Sequence, residues 1–555
     1  MATRTSRFLA PTIVVGVLLA AGGWLSSAGG AQTMPAGPTH TGPLFQSATY
    51  CMACHNGLTT PSGEDVSIGS TWRASMMAHS ALDPYWQAGV RREVIDHPLA
   101  QKAIENECSR CHMPMAHVQA QARHGELSVF ANVAHSSGAS VDPLAAEGVS
   151  CALCHQIANE RLGQRTSFNG GFAVNIGTPL GERHVFGPYE VDAGRISLMH
   201  SASGFRPAEA KHIQQSEVCA TCHTLYTHPL DSTGRPVGEF PEQVPYQEWV
   251  QSSFRQTHSC QSCHMPVVEQ PTPISSVLPH PREGVSRHDF RGGNFFMLGL
   301  LNRFRQQLGV VAKPAELNAA VTRTKAFLQS EAATLSVTRL ERVGGRLETD
   351  IVVSNLGGHK LPTAYPSRRV WLYVTVRDVR GQVVFSSGQP QATGAIMGND
   401  NDRDASLFEP HHREITSGNQ VQIYEAIMAT QARTVTTGLL SAVGYLKDNR
   451  LTPKGFDKHT VPGDVAVHGD ALADPDFAGG EDAIRYRVDV SGGDGPFTVE
   501  AELWYQPIAY RWAENLRAYD AFEPRRFVAF YDSMASSSAL MLARATRSTV
   551  RVAQP

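Results

Sequence analysis

All ten cysteines of the 555-residue chain fall in five copies of one pentapeptide, Cys-x-x-Cys-His, and none is left over for a disulfide. The copies are Cys51, Cys54 and His55; Cys108, Cys111 and His112; Cys151, Cys154 and His155; Cys219, Cys222 and His223; and Cys260, Cys263 and His264. Two thiols three residues apart can each add across a vinyl group of one porphyrin, and the histidine that follows places an imidazole under the iron. A structural zinc site or a thioredoxin-like dithiol uses the same cysteine spacing, but neither asks for histidine directly after the second cysteine. Five repeats of the full pentapeptide point to five covalently bound haem c groups, and with every thiol allocated they exclude a disulfide-stapled fold.

Successive motifs begin 57, 43, 68 and 41 residues apart. Intervals that short cannot wrap five porphyrins separately, so the cofactors themselves must form the interior of a multihaem cytochrome c domain over residues 43–293. Short helices and loops around stacked haems are expected there. Between 294 and 333 the apolar residues recur at three and four, in FFMLGLLNRFRQQLG and PAELNAAVTRTKAFLQSEAA, which predicts a helical connector. Gly309 is placed to stop the first helix, and Pro314 sits where a first-turn proline is tolerated in the second.

From 334 to 555 the apolar period becomes two. TLSVTRLERV, Gly344-Gly345 and RLETDIVVSNL read as strand, turn and strand, and RVWLYVTVRDV, Arg380-Gly381 and VVFSSG repeat the pattern. IRYRVDV and FTVEAELWYQ flank the turn sequence SGGDGP, and a helical insertion is expected near Ile508 to Arg517. The whole chain is therefore expected to be α+β and multidomain, closing with a mostly antiparallel β-sandwich.

Residues 1–31 combine Arg4 and Arg7, an apolar run from Phe8 to about Leu25, and small residues up to Ala31, the grammar of a secretory signal peptide. The run also approaches the length of a membrane anchor, which would leave the protein membrane-associated if it were not cleaved. A periplasmic or extracellular location is expected. The formal net charge is −3, becoming −5 without the two leader arginines. No basic run or face stands out, which excludes nucleic acid and leaves redox proteins, donor and acceptor, as the expected partners.

Each iron needs a second axial ligand unless it is a catalytic centre, and imidazole is the usual choice in electron carriers of many haems. Of the histidines outside the pentapeptides, His212 precedes the fourth motif, His288 follows the fifth in RHDFRGGN, and His359 lies in GGHKLPT between two expected strands. His79 and His117 are further candidates, as are His135, His200 and His228. Met113, Met115 and Met265 follow motif histidines closely and are expected to pack against porphyrin rather than ligate. One oxygen-rich string, GNDNDRDASLFEP, sets Asp400, Asp402 and Asp404 at alternate positions with Glu409 beyond, as in a Ca2+ loop. It lacks the glycine and terminal glutamate of the standard hand, so a solvated acidic loop is the preferred reading.

The strings GVSCALCHQI, SEVCATCHTLYTH, CQSCHMP, RHDFRGGN and NLGGHKLPTAYPSRR resemble multihaem cytochromes of the superfamily that includes hydroxylamine oxidoreductase and its tetrahaem partner cytochrome. The resemblance covers roughly Tyr50 to Arg369, with the β region looking like an appended domain. It implies parallel-stacked and perpendicular haem pairs, two histidines on most irons, and His288 and His359 as second ligands. Pentahaem nitrite reductases share the haem count but attach their catalytic haem through a lysine-bearing motif, and all five motifs here end in histidine.

The expected function is electron relay through closely spaced haems. One alternative is a multihaem oxidoreductase acting on a small nitrogen or sulfur compound at one five-coordinate iron, for which no catalytic residue is singled out. Another is a subunit of an extracellular haem filament or conduit.

Overall fold

The computed structural model describes residues 42–133 and 141–550, so the expected leader and His135 lie outside the described residues. Up to residue 293 the longest helix has 13 residues, which agrees with short intervals that leave little chain for regular structure. Five helices or helix ends carry the motifs or border them: α1 (Ala48–Met52), α3 (Gln101–His112), α5 (Cys151–Cys154), α6 (Ser216–Ala220) and α8 (Cys260–His264). Among them lie α2 (Pro84–Asp96), α4 (Pro114–Gln121) and α7 (Pro245–Val250). Helix α2 starts where Asp83 accepts the backbone N–H groups of Tyr85 (2.8 Å) and Trp86 (3.2 Å), with Pro84 in its first turn.

The helical connector forms α9 (Phe295–Arg303) and α10 (Pro314–Glu331). Gly309 takes φ +68° after a last short turn, Arg305–Leu308, and ends it there. The Glu316 side chain reaches back to the Lys313 backbone N–H at 2.9 Å and fixes the start of α10. Later, α11 (Tyr510–Asn515) occupies the expected insertion and α12 (Phe522–Asp532) follows.

Eleven strands make two sheets. They are β1 (Ala333–Val343), β2 (Arg346–Asn355), β3 (Arg369–Arg377), β4 (Val383–Ser387), β5 (Glu414–Ile415), β6 (Ile423–Ala429), β7 (Val435–Thr436), β8 (Gly444–Asp448), β9 (Glu481–Asp489), β10 (Thr498–Gln506) and β11 (Leu540–Ser548). The four-stranded sheet runs β5-β9-β2-β1, and the seven-stranded sheet runs β7-β6-β3-β10-β11 with β4 on β3 and β8 on β6. All pairings are antiparallel except β5 with β9. The two expected hairpins, β1–β2 and β3–β4, are present. SGGDGP, by contrast, carries the chain from β9 in one sheet to β10 in the other.

Strand β2 alternates, burying Leu347, Thr349, Ile351 and Val353, and β9 answers with Ile484, Tyr486 and Val488. Strands β3 and β6 are covered on both faces and read as nearly continuous apolar runs. Each fully buried Val, Leu or Ile contributes about 1.5–3 kcal/mol over leaving it in water.

One apolar cluster runs from Phe240 and Phe295 in the first half to Val374 and Leu503 in the second. Phe304 after α9 stacks on Phe530 of α12 at 3.8 Å between ring centroids. Arg91 of α2 pairs with Glu523 of α12 through two bonds of 2.8 and 3.0 Å, and Glu93 accepts the backbone N–H groups of Leu439 and Leu440. Residues 40–555 accordingly form one compact unit. Among the described residues no helix is long and apolar enough to cross a membrane.

Candidate cofactor-binding site

Each pentapeptide is wound as a helical turn. The N–H groups of His55, His155 and His223 bond to the carbonyls of Cys51, Cys151 and Cys219, four residues back, at 3.0, 3.1 and 2.9 Å. Such a turn sets the two sulfurs and the imidazole on one face, because residues three and four apart lie above one another. That face could grip a flat ring by two edge thioethers and one axial nitrogen.

The five turns are not arranged in chain order. Cys51 of the first motif lies beside Cys151 of the third. Cys111 of the second touches Cys222 of the fourth, and Cys219 of the fourth touches Cys260 of the fifth. Cys154 of the third lies within electrostatic reach of both fourth-motif thiols. The fourth motif is thus a hub for the second, third and fifth, while the first hangs from the third.

Four motif imidazoles have Nδ1 held by a backbone carbonyl. His55 donates to Ile274 (2.5 Å), His112 to Ser80 (3.0 Å), His155 to Phe186 (2.6 Å) and His264 to Arg291. With the proton on Nδ1, the Nε2 lone pair is left for a metal and the ring cannot rotate. Burial holds His112 and His264 down to about 4, so they stay neutral, the form that ligates.

Two further histidines stand opposite motif imidazoles. The His155 and His288 rings are 6.3 Å apart between centroids and tilted by 18°; those of His264 and His359 are 6.1 Å apart and tilted by 17°. A metal–imidazole bond is about 2 Å and a ring nitrogen lies about 1.1 Å from its ring centre, so two imidazoles trans on one metal have centroids about 6.2 Å apart. His288 and His359 also commit Nδ1 to carbonyls, of Ser286 (3.0 Å) and Lys360 (2.9 Å). Both pairs therefore have a centroid separation that would admit one metal between the rings, and in each ring the hydrogen bond is made by Nδ1, so Nε2 could hold it.

His79 and His117 are buried and likewise commit Nδ1. His79 bonds through Nδ1 to the Ser75 carbonyl at 2.7 Å, and His117 through Nδ1 to the Ser109 hydroxyl at 2.8 Å. His212 differs. Its Nε2 is bonded to the Ile157 carbonyl at 2.8 Å, so the nitrogen that would face a metal is already used. His200 likewise spends Nε2 on the Gly181 carbonyl, and His228 is exposed beside Glu239. Met113 and Met115 are buried in apolar clusters, and Met265 is half-buried.

Trp86 stacks on His112 at 4.3 Å and 6°, and Ser80 holds the His112 backbone carbonyl through its hydroxyl. Neither carries a sequence signal, because both are brought to the second motif by segments that precede it by more than 20 residues.

The acidic string is not a Ca2+ loop. Asp402 is buried, takes two bonds from Arg369 (2.8 and 3.0 Å) and caps the Ile396 N–H, while Asp400 pairs with Arg403, Asp404 with Ser406, and Glu409 with His412. The carboxylates do not converge, and at Asp402 the string is not solvated either. Among the described residues one carboxylate–imidazole cluster does converge, His411, Asp474 and Asp482. Gln422 and Asn449 each accept a backbone N–H through oxygen and turn their NH2 groups to His411 Nδ1 at 3.0 and 3.1 Å. The imidazole proton is therefore on Nε2, donated to Asp474 at 3.1 Å, and the cluster is a buried hydrogen-bond knot rather than a metal donor set.

No family model matches the chain, and no curated protein matches it. Among solved structures it is similar to a penta-heme cytochrome c552 from Thermochromatium tepidum, at 15% identity and a TM-score of 0.54, covering 91% of this chain and 100% of that one. At that identity the likeness is one of fold. It is the fold of a multihaem cytochrome, α+β with short helices and a multi-sheet C-terminal region. A match over 91% of the chain is longer than the span from Tyr50 to Arg369, so it takes in the β region as well.

Proposed function

We propose that the chain is an exported c-type cytochrome that binds five haems covalently and relays electrons between redox partner proteins in the periplasm or outside the cell. The observation that carries the reading is the pair of facing imidazoles, His155 with His288 and His264 with His359, at the separation of trans ligands on one iron. Haem supplies one-electron chemistry, its iron alternating between ferric and ferrous states. The residues do the rest. Cysteine pairs fix each ring, the motif histidines provide the first nitrogen, and His288, His359, His79 and His117 provide second nitrogens. Backbone carbonyls on Nδ1 set tautomer and ring angle. His212 is left out of this set because its Nε2 is occupied.

Contacts among the thiols support a branched relay, with the cofactor of the fourth motif next to those of the second, third and fifth. The test is a pyridine haemochrome assay on the purified protein, which should return five haems per chain. A colourless protein with free thiols would refute the reading.

A second reading keeps the same cofactors but leaves one iron open for a small nitrogen or sulfur compound. It is favoured by one observation: among the described residues four buried or half-buried non-motif histidines commit Nδ1 and leave Nε2 open, against five motifs. One equivalent of cyanide bound by the oxidised parent protein would support it, and none would exclude it.

A further inference from the structure

The loop from Leu356 to Arg368, between β2 and β3, carries His359 and is flanked by a buried network of four charges. Glu248 on α7 and Lys360 have no exposed surface, and Asp448 and Arg450 are buried with them. The Glu248 carboxylate accepts the Lys360 backbone N–H at 3.0 Å and the Thr363 hydroxyl, so it holds the loop on the C-terminal side of His359. Its other oxygen lies 3.1 Å from Arg450. Arg450 in turn takes Asp448 in two bonds of 2.8 and 2.7 Å, and the Lys360 ammonium completes the set on Asp448 at 2.7 Å and the Ala466 carbonyl at 3.1 Å.

Two positive and two negative groups balance, which buried charge requires; removing one partner would leave another uncompensated. Asn355 holds the other end of that same peptide, its side-chain amide donating to the His359 carbonyl at 2.8 Å, and on the N-terminal side of His359 Gly358 packs on Trp249 and Phe254, where an added Cβ would come within 3.2 Å of each. The backbone on both sides of one imidazole is therefore clamped, and the clamp reaches across from the motif-bearing half through Glu248.

We propose that Glu248, with Arg450, Asp448 and Lys360, is a positioning device that fixes His359 as the second ligand of the haem on the fifth motif; this rests on the reading of His359 as that ligand. A ligand held from outside the first coordination shell keeps its angle and basicity, and loosening it moves the potential of the iron or frees its sixth position.

The test compares full-length holoprotein carrying Glu248→Ala, Glu248→Gln, Thr363→Val or His359→Ala. Readouts are the low-spin haem count by electron paramagnetic resonance, cyanide equivalents bound, and a redox titration. Glu248→Ala and His359→Ala should each bind one more equivalent of cyanide than the parent. Glu248→Gln retains an acceptor for Lys360 and Thr363, and should keep the low-spin count while shifting the potential of one haem. If Glu248→Ala does not fold, Thr363→Val carries the test and should shift the same single potential. An unchanged low-spin count in His359→Ala would overturn the ligand reading and this inference together. If His359→Ala opens an iron while Glu248→Ala and Thr363→Val leave spin state and all potentials at parental values, the inference alone falls. Loss of several haems at once in Glu248→Ala would mark a merely structural role and also overturn it.

Discussion

An imidazole offers a metal one nitrogen only while the other is held, and that choice divides the buried histidines of this chain more sharply than their sequence neighbours do. His288 bonds through Nδ1 and pairs with His155; His212, closer to a motif in sequence, bonds through Nε2 to a backbone carbonyl. His288→Ala should therefore remove one low-spin haem from the electron paramagnetic resonance spectrum, and His212→Ala should remove none. A second residue-scale expectation concerns Glu242. Its Oε2 is buried without a hydrogen-bond partner, and burial, aided by the nearby Glu93 charge, raises its pKa from 4.5 to about 8. A raised carboxyl pKa stabilises the fold fully below the unfolded value and loses that contribution as pH rises through the folded one. Between pH 5 and pH 9 the unfolding free energy of the parent, read from thermal melts, should fall relative to that of Glu242→Gln by an amount on the order of a few kcal/mol. Parallel curves for the two proteins would show that Glu242 does not titrate there.

At the scale of elements, local grammar predicted well what local interactions decide. The two hairpins form around Gly344-Gly345 and Arg380-Gly381, and the helix break at Gly309 uses the left-handed φ of +68° that glycine adopts without strain. No atom stands within 4 Å of a Cβ added at Gly309, so Gly309→Ala should act through backbone strain alone. It should lower stability by about 1 kcal/mol in a thermal melt, with the haem spectrum unchanged. SGGDGP looks like a third hairpin turn, but its flanking strands go to opposite sheets. A turn sequence says that the chain reverses, while partner choice is made by distant strands, here β2 for β9 and β3 for β10. The acidic string failed similarly. Alternating aspartates imply a cation only if their side chains converge, and Arg369, 33 residues before Asp402, captures that carboxylate instead.

At the scale of the molecule, the motif-bearing half and the sheets share one apolar cluster and the Arg91–Glu523 and Glu248–Arg450 ion pairs. A chain cut after Ala332 should therefore be insoluble or haem-poor, since it exposes the inner faces of α9 and α10 and loses His359. A soluble fragment retaining five low-spin haems would contradict this. The sequence by itself determined the number and kind of attachment turns, because a thiol pair and an imidazole within five residues settle their chemistry locally, and it determined the alternation of the strands. Only the tertiary structure decided which histidines pair with one another, which nitrogen each presents, and that the fourth motif sits among the second, third and fifth. Those are relations between segments tens to hundreds of residues apart, set by packing and buried hydrogen bonds that no local pattern encodes.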